Sequence, residues 1–139
     1  MYCPVSYRFN LIPSLYFRAL DKKSYLYGIY NIIGGPWEGH YLPIHIPFYG
    51  IGKIEWCDRT IMIAKLEGRM RIGGKHYVSG IINGGVNGNG FKKSFENKPL
   101  LGYGVSYSYD SFIGPLSVYI SGSNQSDKVG VLFSFGYVF

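Results

Sequence analysis

The sequence predicts an all-β fold, an antiparallel transmembrane β-barrel segment of about six to eight strands that forms the C-terminal part of a larger barrel. Three observations support this prediction. The 139 residues include 20 glycines, 14 tyrosines and 9 phenylalanines, a composition unfavourable for a helical bundle. Several segments alternate large apolar residues with small or polar ones, which is the period of a strand. The sequence contains no run of about 18 apolar residues, which excludes a transmembrane helix but not a membrane-spanning barrel.

The composition also limits the class of protein. Hydrophobic residues make up 47% of the chain and charged residues 16%, which excludes a disordered chain. The formal net charge of +6 suits nucleic acid, anionic lipid or a polar barrel interior. The two cysteines have no metal-binding or redox spacing. The N-terminus lacks the basic, apolar and small-residue regions of a secretory signal peptide.

The first third of the chain alternates less regularly. Val5 to Leu20 is strand-like, and splitting it in two would add one strand to the count. Tyr25 to Ile33 is a second predicted strand, and Gly52 to Cys57 a third. Residues 34–51 between them are rich in glycine and proline, and proline cannot donate to a β ladder. We therefore expect residues 34–51 to form a long ordered loop, or one that folds back into the lumen of the barrel.

The middle of the chain contains a strand with charges on one face. Lys65, Glu67, Arg69 and Arg71 alternate with apolar or small residues between Met62 and Arg71. A charge facing lipid near the bilayer midplane costs about 2–4 kcal/mol, so these four residues are predicted to form a lumen-facing charged network. A nucleic-acid platform is the alternative for basic residues interleaved with aromatics, but the one-sided placement favours the lumen, and no nucleic-acid partner is expected.

The segments that follow predict hairpins. Residues 72–75 read as a two-residue Gly-Gly turn, and His76 to Gly84 as the return strand. Residues 84–97 read as a flexible polar loop. Two further alternating strands, residues 101–110 and 116–121, precede a turn at residues 121–128.

The last strand, Val129 to Phe139, places large apolar residues on one face and mostly small residues on the other. A terminal strand of this pattern that ends on phenylalanine resembles the signal read by the bacterial outer-membrane barrel assembly machinery. The predicted signal residues are Phe133, Phe135, Tyr137 and Phe139. This resemblance implies the bacterial outer membrane as the location, with its lipid and the assembly machinery as partners.

A wider resemblance covers nearly the whole chain. The segments that carry it are residues 31–41, 46–55, 61–72, 75–77, 101–116, 121–124 and 135–139. Together they resemble the C-terminal barrel of patatin-like phospholipases of Bacteroidetes-type bacteria, which are similar to the bacterial surface-antigen superfamily of barrel-assembly and two-partner-secretion transporters. The resemblance implies that the chain anchors and closes a barrel. The rest of that barrel would come from an upstream part of the same protein, which carries the patatin domain, or from a second chain.

In that superfamily, an arginine at the tip of the lumen-folded loop pairs with an acid on the barrel wall. The matching tip here is Gly39, His40 and Tyr41, and Glu67 is the best-placed acid. Histidine carries charge only below a pKa of about 6.5, so replacing arginine weakens the implied pairing. The alternative for His40 is a solvated loop residue.

The resemblance also implies that catalysis lies outside this chain. The family's nucleophilic serine sits in a G-x-S-x-G turn of a separate patatin domain. The segment around Ser106 lacks the second glycine and lies in an alternating strand, so Ser106 is not predicted to be a nucleophile. The three histidines, His40, His45 and His76, have no metal-ligand spacing. We therefore expect no enzymatic activity, cofactor or metal in the chain itself.

Three alternatives remain open at this stage. The first is a self-contained eight-stranded outer-membrane barrel with a structural or adhesive role. The second is a soluble lipid-binding β-barrel, which conflicts with four charges on one strand face. The third is a chain that pairs with a separately encoded patatin domain. Because the strand count is low and no export signal is present, we also expect a truncated or split gene product.

Overall fold

The computed structural model describes residues 3–21, 30–36, 45–52 and 55–136. It confirms the all-β prediction, because the described strands form one large antiparallel sheet and one small sheet. The strands are β1 (Cys3–Ser6), β2 (Phe9–Ala19), β3 (Asn31–Ile33), β4 (His45–Ile46), β5 (Glu55–Cys57), β6 (Thr60–Gly73), β7 (His76–Gly88), β8 (Leu100–Ser111), β9 (Gly114–Ser123) and β10 (Ser126–Phe135), with a short helix α1 (Phe91–Glu96). Among the described helical residues, no helix is long and apolar enough to span a membrane.

The large sheet has seven strands in the order β1-β2-β6-β7-β8-β9-β10. Neighbours along the chain pair as hairpins, except that β2 pairs with β6 across the intervening segment. Within the described residues, β1 and β10 lie at the two ends of the order and do not pair with each other. Among the described strands the large sheet is therefore open, and we call it the wall because it corresponds to the predicted barrel segment.

The small sheet consists of β4, β3 and β5 and lies on one face of the large sheet, which we call the inner face. The core forms between the two sheets. Its members are Ile33, Ile46, Phe48, Ile51 and Cys57 from the small sheet and its loops, and Ile61, Ile63 and Leu100 from the large sheet. The core thus holds the small sheet and residues 47–52 against the large sheet.

The opposite face, which we call the outer face, is apolar and exposed. By register and alternation, no Asp, Glu, Lys or Arg side chain of β2 and β6 to β9 points to it. Its large side chains include Leu15 at 72% exposure and Phe133 at 75%. A monomeric soluble protein rarely exposes such a continuous apolar surface, which marks a membrane or protein interaction surface.

In the first third of the chain, the strands differ from the predicted ones in number and in the sheet to which they belong. The strand-like stretch from Val5 to Leu20 is divided by a turn at Tyr7 and Arg8 into β1 and β2. The predicted strands at 25–33 and 52–57 contribute β3 and β5, which belong to the small sheet and not to the wall. Asn31, Ile32 and Ile33 are at most 1% exposed, so this strand is buried on both faces and lacks the alternation of a wall strand. Residues 22–29 lie outside the described part.

The prediction of a flexible polar loop at residues 84–97 is wrong. β7 continues to Gly88, and residues 91–96 form α1. The glycines in this stretch permit close packing: a Cβ on Gly85 would lie 2.6 Å from the Met62 carbonyl oxygen, and one on Gly88 would lie 2.6 Å from the Ser94 nitrogen. These approaches explain a glycine-rich sequence that is not a loop.

Two predicted turns are shorter or shifted. The turn between β6 and β7 consists of Gly74 and Lys75, one residue later than the Gly-Gly pair, with Gly74 at a φ of +50°. The turn expected over residues 121–128 contracts to Asn124 and Gln125 because β9 and β10 extend towards each other.

Candidate functional site

The inner face of β6 presents the predicted charged residues in one row. Glu67 is only 6% exposed, and Arg69 lies two residues along the same face. The Nε and Nη2 groups of Arg69 donate hydrogen bonds to Glu67 Oε1 at 3.1 and 2.8 Å. A buried carboxylate without such a partner would be strongly destabilising. The pair therefore lets β6 carry an acid on the inner face.

The other two members of the row lie at different depths. Lys65 is half-buried and sits between Ser14 and Asn83 in the register. Arg71 lies beside the β6–β7 turn, where its Nε and Nη2 groups donate to the Gly74 carbonyl at 2.8 and 2.5 Å. All four residues share the inner face. Their role as a lumen network stays a prediction, since the described strands do not enclose a lumen.

Residues 45–52, which we call the inward segment, pack on this inner face above β7 to β9. The ring of Phe48 is fully buried, and Ile46 and Ile51 join it in the core. Of the predicted loop at residues 34–51, the inward segment lies on the inner face and residues 37–44 lie outside the described part, so the folding of this loop into a lumen stays a prediction.

Polar side chains of the wall hold the backbone of the inward segment. Asn83 is 5% exposed and bonds both backbone groups of Tyr49: the N–H donates to Oδ1 at 3.2 Å, and Nδ2 donates to the carbonyl at 3.4 Å. One residue further, Ser123 Oγ donates to the Gly50 carbonyl at 2.7 Å. Irregular backbone needs such partners when it is buried.

Small residues of β8 make room for this contact. A Cβ on Gly102 would lie 2.0 Å from the Tyr49 carbonyl oxygen and 2.9 Å from the Phe48 ring. At Gly104, a Cβ would lie 3.1 Å from the Tyr49 ring. Gly50 has a φ of +90° and faces the Gly122 carbonyl at a distance that no side chain tolerates. Glycine is therefore required on both sides of the interface.

The ring of Tyr49 extends along the inner face towards the charged row. It is buried, with its centroid 6.1 Å from that of Tyr119. Burial raises the pKa of the Tyr49 phenol well above its usual value, and the nearby Glu67 charge raises it further, while Arg69 opposes these effects. The phenol is therefore neutral at any physiological pH.

The junction between the small sheet and the wall is also fixed by buried groups. Asn31 Nδ2 donates to the carbonyls of Asp58 and Arg59 at 2.7 and 3.0 Å, which ties β3 to the turn before β6. Cys57, at the end of β5, is buried, and its thiol pKa is raised to about 12 by desolvation and then by Glu55 and Asp58. An inert thiol at this place indicates a structural role.

A polar cleft of about 450 Å³ opens on the inner face near the hairpin turns. It is lined by Asn10, Arg69, Tyr77, Ser108, Asp110, Pro115, Ser117 and Tyr119. Hydroxyl, amide, guanidinium and carboxylate groups meet here, so this end of the inner face is suited to water or polar ligands. In the part of the chain that the structure describes, no group of three or more His, Cys, Asp and Glu residues is arranged to hold a metal ion.

The remaining predicted site residues divide into two groups. Phe133 and Phe135 lie on the outer face of β10 at 75% and 65% exposure. Tyr137 and Phe139 fall outside the described residues, as do Gly39, His40 and Tyr41 at the predicted loop tip. The pairing of His40 with Glu67 therefore stays a prediction, and among the described residues Glu67 pairs with Arg69.

Sequence reasoning missed the residues that hold the inward segment, namely Tyr49, Asn83, Gly102 and Ser123. One signal pointed to them. The alternation of β8 placed Gly102, Gly104 and Ser106 on a single small face, and a small face implies that another part of the chain occupies the space above it.

The comparison with protein families gives one match. The model described as the OMP85 superfamily matches residues 20–139, which cover most of the wall, the small sheet and the inward segment. No curated protein and no solved structure shows significant similarity to the chain.

Proposed function

The chain belongs to the OMP85 superfamily and is an outer-membrane β-barrel module, and on this basis we propose that it closes and anchors the barrel of a patatin-like phospholipase of the surface-antigen type. In this proposal the wall strands stay in the membrane, the inward segment occupies the lumen, and lipid hydrolysis belongs to a separate patatin domain.

The observation that carries the proposal is the sidedness of the large sheet. The outer face of β2 and β6 to β9 has no charged side chain, whereas the inner face of β6 alone has four. Transmembrane barrels alternate in this way, with apolar residues towards lipid and polar residues towards the lumen. A soluble lipid-binding barrel requires the opposite arrangement.

The open ends of the sheet support the second part of the proposal. β1 and β10 each have one neighbour among the described strands. In lipid, an unpaired strand edge leaves backbone N–H and C=O groups without partners, each costing several kcal/mol. Further strands are therefore needed, and we propose that they come from the remainder of the same protein. Insertion by the barrel assembly machinery would depend on the terminal aromatic residues of β10 and the positions after it.

The proposed absence of catalysis from this chain is supported by the position of Ser106. Its side chain is 5% exposed on the inner face of β8, in the middle of a continuous strand. A serine nucleophile of the patatin type requires a sharp turn between a strand and a helix, with an exposed hydroxyl. The enzyme activity is accordingly assigned to the separate domain.

A self-contained barrel is the second candidate function. The division of the N-terminal stretch into β1 and β2 favours it, since this brings the wall to seven strands. One more strand would give the eight of the smallest bacterial barrels. In that case the chain would be a structural or adhesive outer-membrane protein.

Both candidates are tested by an immunoblot of outer-membrane fractions from the bacterium that makes the chain, with an antibody to its last strand. We expect an outer-membrane band several times larger than 15.7 kDa that a serine-directed fluorophosphonate probe also labels. A heat-modifiable outer-membrane band at 15.7 kDa would instead establish the self-contained barrel. A band confined to the soluble fraction would refute both.

A further inference from the structure

Helix α1 lies at the rim of the large sheet, on its outer face. Gly88, the last residue of β7, pairs with Thr60 and belongs to the outer face by alternation. A Cβ on Gly88 would lie 2.6 Å from the Ser94 nitrogen, so the helix backbone rests directly on this glycine. Asn97 Nδ2 donates to the Asn87 carbonyl at 2.8 Å and fixes the end of the helix. The helix therefore sits where the apolar face meets the polar loops.

The exposed side of α1 combines aromatic and basic side chains. Ser94 is 2% exposed against the sheet, whereas Phe91 and Phe95 are each 60% exposed, and their ring centroids are 5.4 Å apart. Lys92 and Lys93 lie between them and are exposed. Aromatic side chains together with lysines are typical of helices that lie in the membrane interface, where the rings enter the acyl region and the ammonium groups contact lipid phosphates.

A hollow of about 820 Å³ lies below the helix on the same outer face. Ala64 and Gly84, which pair directly, form its floor, and Leu15, Leu66, Ile82 and Leu101 form walls. Gly84 is four residues from Gly88 along β7, which is about 13 Å at 3.3 Å per residue. An acyl chain descending from a headgroup at α1 would reach the hollow over this distance.

We propose that α1 and the hollow form a binding site for one anionic phospholipid. Lys92 and Lys93 contact the headgroup phosphate, Phe91 and Phe95 enter the interface beside it, and one acyl chain fills the hollow. The inference rests on the proposed membrane location of the outer face. Two observations specify the occupant: the uncharged outer face continues into the hollow, and the helix above it is basic.

The charges near the helix are consistent with an anionic headgroup. Within α1, the two lysines Lys92 and Lys93 outnumber the single acid, Glu96, so the helix has a net positive charge. Lys98 follows the helix but lines a different cavity, on the inner side, together with Glu55 and Asp58. It is therefore left out of the site, and Lys92 and Lys93 are the residues to test.

The test uses the full chain refolded in detergent that contains equal amounts of phosphatidylglycerol and phosphatidylcholine with identical acyl chains. Native mass spectrometry counts the retained lipids. We expect the wild-type chain to retain phosphatidylglycerol over phosphatidylcholine by about tenfold, since each lysine near a membrane surface contributes measurably to anionic lipid binding. The double variant K92Q/K93Q should bring the ratio close to one while total lipid retention persists.

Two further variants keep the test decisive. R8Q/K75Q removes the same charge from exposed residues at the opposite rim and should leave the ratio unchanged. G84L fills the floor of the hollow, where a Cβ meets nothing closer than 3.4 Å, and should lower retention of both lipids at a constant ratio. The inference is overturned if K92Q/K93Q keeps the wild-type ratio, or if R8Q/K75Q lowers it equally. A wild-type chain confined to the soluble fraction of the bacterium would instead count against the proposed function.

Discussion

The side chain of Asn83 on β7 holds the backbone of Tyr49, 34 residues away, through both of its amide atoms. Asn83 Oδ1 accepts from the Tyr49 N–H at 3.2 Å, and Nδ2 donates to the Tyr49 carbonyl at 3.4 Å. Both residues are at most 6% exposed. One wall residue thus substitutes for water at the turn of the inward segment, and this contact fixes how deep the segment lies on the inner face.

The first prediction concerns this contact. Asn83→Ala leaves the N–H and carbonyl of Tyr49 buried without partners, which costs about 1–3 kcal/mol. We expect a lower unfolding free energy in urea and faster chymotrypsin cleavage at Phe48 and Tyr49. Asn10→Ala, on the inner face of β2, is the matched control and should show wild-type cleavage. Equal cleavage of both variants would show that Asn83 does not hold the segment.

The second prediction concerns two strand glycines. A Cβ on Gly102 meets the Tyr49 carbonyl at 2.0 Å, whereas a Cβ on Gly80 meets nothing within 4 Å. Gly102→Ala should therefore displace the inward segment and cost about 1–3 kcal/mol of unfolding free energy. Gly80→Ala should be neutral or slightly stabilising. Urea unfolding of both variants provides the comparison, and a destabilised Gly80→Ala would argue that the effect is general to strand glycines.

A third prediction compares the cost of an arginine at two depths in the membrane, at the middle of the outer face and at its rim. Val105 lies mid-strand, opposite Gly80 and Ile120, whereas Ile113 lies in the exposed turn between β8 and β9. Arginine at a lipid-facing position costs about 2–4 kcal/mol near the bilayer midplane and about 0–1 kcal/mol near the interface. Val105→Arg should therefore destabilise the chain folded in vesicles far more than Ile113→Arg. Equal costs at the two positions would contradict a lipid-facing outer face.

The fourth prediction concerns Cys57, whose thiol pKa is raised from 9.0 to about 12, chiefly by burial. The reactive thiolate fraction at pH 8 falls about a thousandfold, so a Cys3→Ser chain should react with iodoacetamide only after unfolding.

The raised pKa of Cys57 also determines how the unfolding free energy changes with pH. Above pH 9 the unfolded thiol ionises while the folded one stays protonated, so Cys57 contributes a fall in unfolding free energy between pH 9 and about pH 12. The matching Cys57→Ala chain should lack this contribution, and rapid labelling of the folded chain would disprove the burial.

Most of the wall was predictable from local pattern. Ala64 to Arg71 in β6 and Gly102 to Asp110 in β8 alternate because one face is apolar and the other is small or polar, and that alternation is visible residue by residue. The small sheet was not predictable in this way. Asn31 to Ile33 is buried on both faces, so its sequence has no alternation to read. Helix α1 has only six residues, too few for a helical period to appear.

The inner-face site likewise contains one part that the sequence predicts and one part that it does not. The charged row on β6 was predicted because its members are neighbours in sequence with a period of two. The contact between Tyr49 and Asn83 joins two distant segments, and no local pattern encodes which asparagine meets which backbone group. The expected pairing of Glu67 with His40 rested on the resemblance alone and stays a prediction, since residues 37–44 lie outside the described part.

The central claim, that the outer face contacts lipid and the inner face does not, is tested most directly by spin-label accessibility in lipid vesicles. Single labels at Val105 and Ile120 report the outer face, and labels at Ser108 and Ser134 the inner face, in a background with Cys3→Ser and Cys57→Ala. The account predicts that the outer labels collide with oxygen and are shielded from an aqueous nickel chelate, while the inner labels show the reverse. Nickel access to the outer labels equal to that of the inner labels would contradict a membrane-spanning wall.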